Sequence, residues 1–154
     1  MTENYYILIA TFLAMAVAQI LKPILYYIGF KKWDNTLLTA SGGLPSSHSS
    51  VVVSLLIAVG LKEGFETTLF YISFVLACVV MYDAANVRYY AGRNIQLTRK
   101  LIDDLKKSDL YIKKLTDPIY DEKIKQILGP KWFEVFCGAV LGGVISWGVW
   151  VIIS

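Results

Sequence analysis

The chain is short of charge, of histidine and of cysteine, and each shortage narrows what it can be. Only 18% of its 154 residues are charged while 56% are hydrophobic, whereas an ordinary soluble domain carries about a quarter charged residues. A water-soluble globular domain is therefore a poor reading, and the membrane is the expected solvent. There is one histidine, His48, and no His/Asp cluster at metal-ligand spacing, so no metal and no cofactor is expected. The two cysteines, Cys78 and Cys137, lie inside apolar blocks without Cys-x-x-Cys spacing, which makes a reduced packing role their default. No basic leader or small-residue cleavage site precedes the first apolar block, so that block reads as a retained span and not as a removed signal peptide. No internal repeat of the kind many transporters possess is visible. The net charge of +3 is modest, its placement matters more than its size, and no nucleic-acid partner is expected.

What is present is a set of long apolar blocks with the charges gathered between them. A span needs roughly 20 mainly apolar residues, and residues 5–30 meet this despite Gln19 and Lys22. Shorter but strongly apolar is 48–61; 67–90 forms a third block and 132–153 a fourth. The expected fold is all-α: a single integral-membrane domain, 1–154, built as a bundle of four transmembrane spans. Between spans three and four, the segment 91–131 is of another kind. From Arg88 to Lys131 there are eleven Lys and Arg against six Asp and Glu, with Leu97, Leu101, Leu105, Ile112 and Leu115 at near-helical spacing. That pattern fits amphipathic helices on the membrane surface, and it fits a solvated helical hairpin that merely connects spans equally well. Pro118 is expected to divide it.

Four spans put the loop 31–47 and the long basic loop on one face. That face carries Lys31, Lys32 and the eleven basic residues, while the other carries Lys62 alone. The positive-inside bias then assigns the loaded face to the cytoplasm of a multi-pass cell-membrane protein. Gly138, Gly142 and Gly143 give the last span a Gly-x-x-x-Gly spacing that allows close approach of helix backbones. Packing within the bundle accounts for it; a homo-oligomer is open but not indicated.

Three clusters on the loaded face hold the residues able to do chemistry. In Ser41-Gly-Gly-Leu-Pro-Ser-Ser-His48, a glycine pair leads through Pro45 and two serines into a helix start. Pro suits a first helical turn, and helix-start N–H groups favour an anion, with Ser46 and Ser47 as extra donors. An ordinary Ser cap explains the same residues. His48, with its near-neutral pKa class, is the best available proton donor to a departing alkoxide. Lys22 is an ammonium inside an apolar span, which is read by default as functional or paired; snorkelling to the boundary is the alternative. Gln19, one turn earlier, extends an inward polar stripe. The second cluster, Met81 to Arg93, contains Asp83, Arg88 and Arg93. On a continuous helix Asp83, Asn86, Tyr90 and Arg93 share a side while Arg88 points away. Either arginine is able to bind phosphate bidentately, with Asp83 to orient it, although a structural ion pair is nearly as good an account. The third, Gly129-Pro-Lys-Trp-Phe-Glu134, has Pro130 suited to a first turn and a carboxylate, Glu134, one turn inside. It is suited to pairing with Lys22 or an arginine.

On these residues the sequence resembles the divergent branch of the type 2 phosphatidic acid phosphatase superfamily, whose relatives include vanadium haloperoxidases. The likeness spans nearly the whole chain and rests on Ser41 to His48, on Tyr82-Asp-Ala-Ala-Asn-Val-Arg88 with Gly92, and on Leu128-Gly-Pro-Lys-Trp-Phe-Glu-Val-Phe-Cys-Gly138. The resemblance implies that Lys22 and Arg88 bind phosphate, that His48 protonates the leaving group and that Glu134 orients the nucleophile. The Arg-Pro that commonly follows the phosphate lysine is absent. Where family members carry the nucleophilic histidine, four residues before the acidic position, this chain has Pro130. Proline offers no nucleophile, which leaves an altered chain, a natural binder without turnover, or attack by water or by His48 itself.

Two functions are thus expected to compete. The first is a phosphatase-like membrane protein acting on a lipid phosphate monoester of the phosphatidic acid, phosphatidylglycerol phosphate or polyprenyl phosphate class. The second is an inactive protein that binds phosphate or anionic lipid, with the basic loop adding surface attraction.

Overall fold

The computed structural model describes residues 5–39, 43–86, 90, 94–102 and 132–153. Among them every regular element is helical. Helix α1 is Tyr6–Phe30, α2 is Ser47–Glu63, α3 is Thr68–Ala85 and α4 is Trp132–Ile153, with a 3₁₀ turn at Asn35–Thr39. Residues 94–102 are also helical, and Leu97 and Leu101 there are exposed. The remainder of the basic loop, Pro118 included, lies outside the described residues.

Local chemistry sets the boundaries. α1 stops where Lys31 turns left-handed and its N–H closes onto the Tyr27 carbonyl at 2.8 Å. Ser46 caps α2, its hydroxyl accepting from the Ser49 N–H, and Thr67 does the same for α3 at the Phe70 N–H; both are residue types favoured at that position. Pro45 therefore stands before the cap and not in the first turn, contrary to the expectation from its helix-start preference. Asn86 caps the end of α3.

The bundle is built with its small residues inside and its large apolar ones outside. Ala10, Ala14 and Ala18 on α1, Ser46, Ser50, Ser54 and Ala58 on α2, and Gly138, Gly142 and Ser146 on α4 are buried, each row stepping by four residues. Phe12, Ile28, Leu69, Ile72, Val79, Phe136, Val144 and Ile152 are exposed. Water would not assemble such an object, because burial of its interior removes little apolar surface. In lipid, where association depends on close packing and interhelical hydrogen bonds, this is the expected arrangement. Among the described residues three helices, α1, α3 and α4, are long and apolar enough to cross a membrane. α2, with 17 residues and five serines from its cap to its midpoint, falls short on those criteria, so the expectation of four apolar spans is met by three.

α2 is nonetheless the helix that the others share: α1, α3 and α4 all pack against it, while α3 scarcely meets α4. Ser50 Oγ donates to the Ala14 carbonyl at 3.2 Å and Ala58 packs with Tyr6, so α1 and α2 run in opposite directions. The Cα atoms of Gly138 and Gly142 lie against the carbonyls of Ser46 and Ser50, so α4 runs parallel to α2. Ala84 and Ala85 pack with Val135, bringing the end of α3 to the start of α4. At the far end Tyr6 Oη donates to the Ser146 carbonyl at 2.9 Å and its ring meets Trp150 edge-on. One end of the bundle therefore collects the end of α1, the starts of α2 and α4, and the end of α3.

Candidate functional site

At that end the inward row of α1 finishes on Lys22. Its side chain is 2% exposed and turned into the bundle, which decides against snorkelling. Nζ donates to Ser47 Oγ at 3.3 Å, and Ser47 is itself 4% exposed. Above the lysine stem lies Gly43, in a positive-φ conformation (φ 104°) that favours glycine; a Cβ there would stand in ordinary contact with Lys22 Cδ, at 3.9 Å. The peptide between Leu44 and Pro45 is cis. Gly43 and Leu44 then bring the chain down to the α2 start.

The α2 start is tied to α4. The Ser46 N–H donates to the Glu134 carbonyl at 3.0 Å, and Gly138 lets the α4 backbone come against Ser46. Ser46 is fully buried, and its hydroxyl meets the Ser49 N–H at 3.4 Å and Ser49 Oγ at 3.0 Å, so it is occupied in the cap. His48 occupies the second position of α2, half-buried. Glu134 stands in the first turn of α4, half-buried, and its charge acts on Lys22. Asp83 is half-buried in the last turn of α3.

Lys22 and Glu134 border one cavity of about 240 Å³, whose other walls are Leu25, Tyr26 and Phe30 of α1, Leu37 of the 3₁₀ turn, Gly43 and Leu44. Three of the residues named from sequence, Lys22, Ser47 and Glu134, are thereby brought together from three helices. Arg88, Arg93 and Pro130 lie outside the described residues. α3 is Thr68–Ala85 with Asn86 as cap, and of the stretch from there to Arg93 only Tyr90 is described, its N–H donating to the Asn86 carbonyl at 3.0 Å. No group of three or more His, Cys, Asp or Glu able to hold a metal occurs among the described residues.

Sequence reasoning missed the apolar walls. Leu25, Tyr26 and Phe30 follow Lys22 at three, four and eight residues and so share its helix face, a signal that was available. Leu37 and Leu44 gave none, since only the return of the loop along α1 makes them walls. Also missed was Pro23, which lacks the N–H that would bond the Gln19 carbonyl; the side-chain Oε1 of Gln19 is buried without a hydrogen-bond partner as well.

The arrangement is an anion site in form: a buried ammonium bonded to a serine hydroxyl, a helix N-terminus beside it, and a carboxylate lining the same cavity. Residues 3–145 match the family described as the Divergent PAP2 family. The chain is also 34% identical over 142 residues, 90% of each chain, to the "Uncharacterized membrane protein YuiD" of Bacillus subtilis (strain 168). No solved structure matches.

Proposed function

The chain belongs to the divergent PAP2 family, and from that premise we propose that it is a lipid-phosphate phosphatase-like membrane protein whose cavity takes the phosphate of a lipid monoester. The observation that carries the reading is Lys22. An ammonium within a membrane helix raises the free energy of insertion by about 2.5–3.5 kcal/mol, yet here it is buried, bonded to Ser47 and set into a cavity. A dianionic phosphate entering beside it would add a charge-assisted contact of the strong class. The α2 N-terminus contributes its dipole on the same side.

Phosphoryl transfer depends mainly on positioning and charge stabilisation, and the roles divide accordingly. Lys22 and Ser47 hold phosphate oxygens, with Arg88 or Arg93 completing the charge from the basic segment. Glu134 orients the attacking group. With Pro130 in the nucleophile's place, the hydrolytic route uses water: it attacks phosphorus, the bond to the lipid oxygen breaks, and His48 delivers a proton to that oxygen. Pro130 is also the specific observation that favours a second reading, a site that binds lipid phosphate and does not turn it over.

The same reading extends to topology. α1 and α3 run in the same direction, so a chain in which both cross must return through α2. At about 1.5 Å per residue, 17 residues reach roughly 25 Å, and serines that face protein and not lipid do not oppose insertion. Four crossings put the cavity on the face that carries the basic loop, which charge bias assigns to the cytoplasm.

Phosphate release from a panel of lipid phosphates in detergent separates the readings, using the present chain, Pro130→His and His48→Ala. Release by the chain or by Pro130→His, lost in His48→Ala, is the result expected of a hydrolase. Silence in both the chain and Pro130→His would replace hydrolysis with binding. Release that persists in His48→Ala would remove His48 as the proton donor.

A further inference from the structure

Two tyrosines stand side by side near the end of α1, and the fold treats them differently. Tyr26 is half-buried and lines the cavity together with Lys22 and Glu134. Tyr27 is 47% exposed, and its ring meets Trp33 edge-on at 6.2 Å. We propose that Tyr26 is a further ligand-binding residue of the cavity, its phenol hydroxyl donating to an oxygen of the phosphate that Lys22 holds. The proposal rests on the phosphate reading of Lys22 given above.

Helix geometry brings the phenol toward the ammonium. Residues four apart are neighbours on one helix face, so Tyr26 follows Lys22 along the inward side of α1, while Tyr27 lies about 100° further round. Long side chains on a helix lean toward its N-terminus and cover the preceding turn, which for Tyr26 is the turn of Lys22. Phe30 repeats the step. Its ring centroid is 4.8 Å from that of Tyr26, with the planes tilted by 34°, and it lines the same cavity. The Tyr26 ring is thus backed by Phe30 and leans toward the end of the cavity that Lys22 borders.

The ligand's chemistry gives that hydroxyl its use. A phosphate monoester dianion presents three terminal oxygens, all of them acceptors, and an ammonium bonded to Ser47 Oγ at 3.3 Å has two further protons for them. A second cation in α1 would raise the free energy of insertion again. A tyrosine near a membrane boundary does not: its ring suits apolar surroundings while its hydroxyl seeks a polar partner. The phenol therefore adds a donor to the site without adding charge, and an O–H bonded to an anionic oxygen is a contact of the short, strong class.

The test is binding of inorganic phosphate and of hexyl phosphate to the intact protein in nanodiscs by titration calorimetry, with protein-free nanodiscs as the partition background. The unchanged chain is compared with Tyr26→Phe, Tyr27→Phe and Lys22→Met, and the ligand-free melting midpoint of each is measured alongside. Tyr26→Phe keeps the ring against Phe30 and removes one oxygen. It should weaken both probes about tenfold, the lower end for a hydrogen bond to a charged group, at an unchanged ligand-free midpoint. Tyr27→Phe should bind both probes as the unchanged chain does. Full affinity in Tyr26→Phe beside a defective Lys22→Met would overturn the role of Tyr26 and leave the phosphate site standing. An equal loss in Tyr26→Phe and Tyr27→Phe would do the same, as would a loss for hexyl phosphate alone, or one accompanied by a lower ligand-free midpoint, since the hydroxyl would then serve the boundary, the ester chain or the fold and not the phosphate. Failure of the unchanged chain to bind either probe would remove the phosphate site and the Tyr26 contact together.

Discussion

Replacing the glycines of α4 one at a time by alanine separates the contacts that hold the bundle from those that do not. A Cβ at Gly138 or Gly142 would fall well inside contact distance of the Ser46 or Ser50 carbonyl oxygen, whereas at Gly143 the nearest atom is Val53 Cγ1 at 4.0 Å and at Gly148 nothing lies within 4 Å. The carbonyl of Ser46 cannot swing aside, because it accepts the Ser50 N–H at 3.1 Å in the first turn of α2. α4 must therefore move off α2. Overpacking of this kind costs about 1–3 kcal/mol, against a gain of about 0.5–1 kcal/mol for Ala over Gly in a helix. Gly138→Ala and Gly142→Ala should each lose roughly 0.5–2 kcal/mol, while Gly143→Ala and Gly148→Ala should be neutral or slightly stabilised. One displacement of α4 relieves both clashes, so the double Gly138→Ala/Gly142→Ala should lose less than the two single losses combined. Reversible unfolding of the purified protein in mixed micelles measures all five variants. Equal stability of Gly138→Ala and Gly143→Ala would refute the close α2–α4 contact, and strict additivity in the double would refute the rigid-body account.

Removal of the Lys22 charge and of the Glu134 charge should be unequal. Lys22→Met deletes an ammonium that is almost wholly buried and leaves a half-buried carboxylate able to take up water, so thermal stability in micelles should hold or rise while phosphate binding falls at least tenfold. Glu134→Gln leaves the buried ammonium without that partner and should cost up to about 3 kcal/mol; the reverse order of the two variants would contradict the assignment of Lys22 as a functional and not a structural charge. For topology, a single cysteine placed at Ser108, in a variant with Cys78 and Cys137 replaced by alanine, should resist a membrane-impermeant maleimide in intact cells and react after permeabilisation. Labelling from outside would overturn the cytoplasmic placement.

Much of the architecture was legible because lipid imposes a coarse rule, and the blocks at 5–30, 67–90 and 132–153 satisfied it by composition alone. α2 was harder. Its serines lower its hydropathy, and only their fourfold spacing with Ala58, opposite Gly138, Gly142 and Ser146, marks them as a packing row and not as polar intrusions. The site was legible where chemistry is expensive: Lys22 and Glu134 stand out in an apolar context whatever the fold. It was illegible where side chains are cheap. A leucine that walls a cavity, such as Leu25 or Leu44, reads the same as one that faces lipid. The residue-type preferences that make Ser46 a good anion donor also make it a good cap, and its hydroxyl oxygen accepts from the Ser49 N–H and the Ser49 hydroxyl.

The packing of the bundle and the assembly of its site are one event. The Ser46 N–H bonded to the Glu134 carbonyl and the bare face of Gly138 against Ser46 close α4 onto α2; the same closure sets Glu134 at the cavity that Lys22 borders and leaves Ser47, the next residue, against the ammonium. None of these contacts involves position 130. A chain with proline at position 130 can therefore keep the Lys22–Ser47–Glu134 arrangement, because these three residues are held by the packing of α1, α2 and α4. On the proposed reading, binding and turnover are then separable: Pro130 removes one nucleophile, while the contacts that hold Lys22, Ser47 and Glu134 do not depend on it.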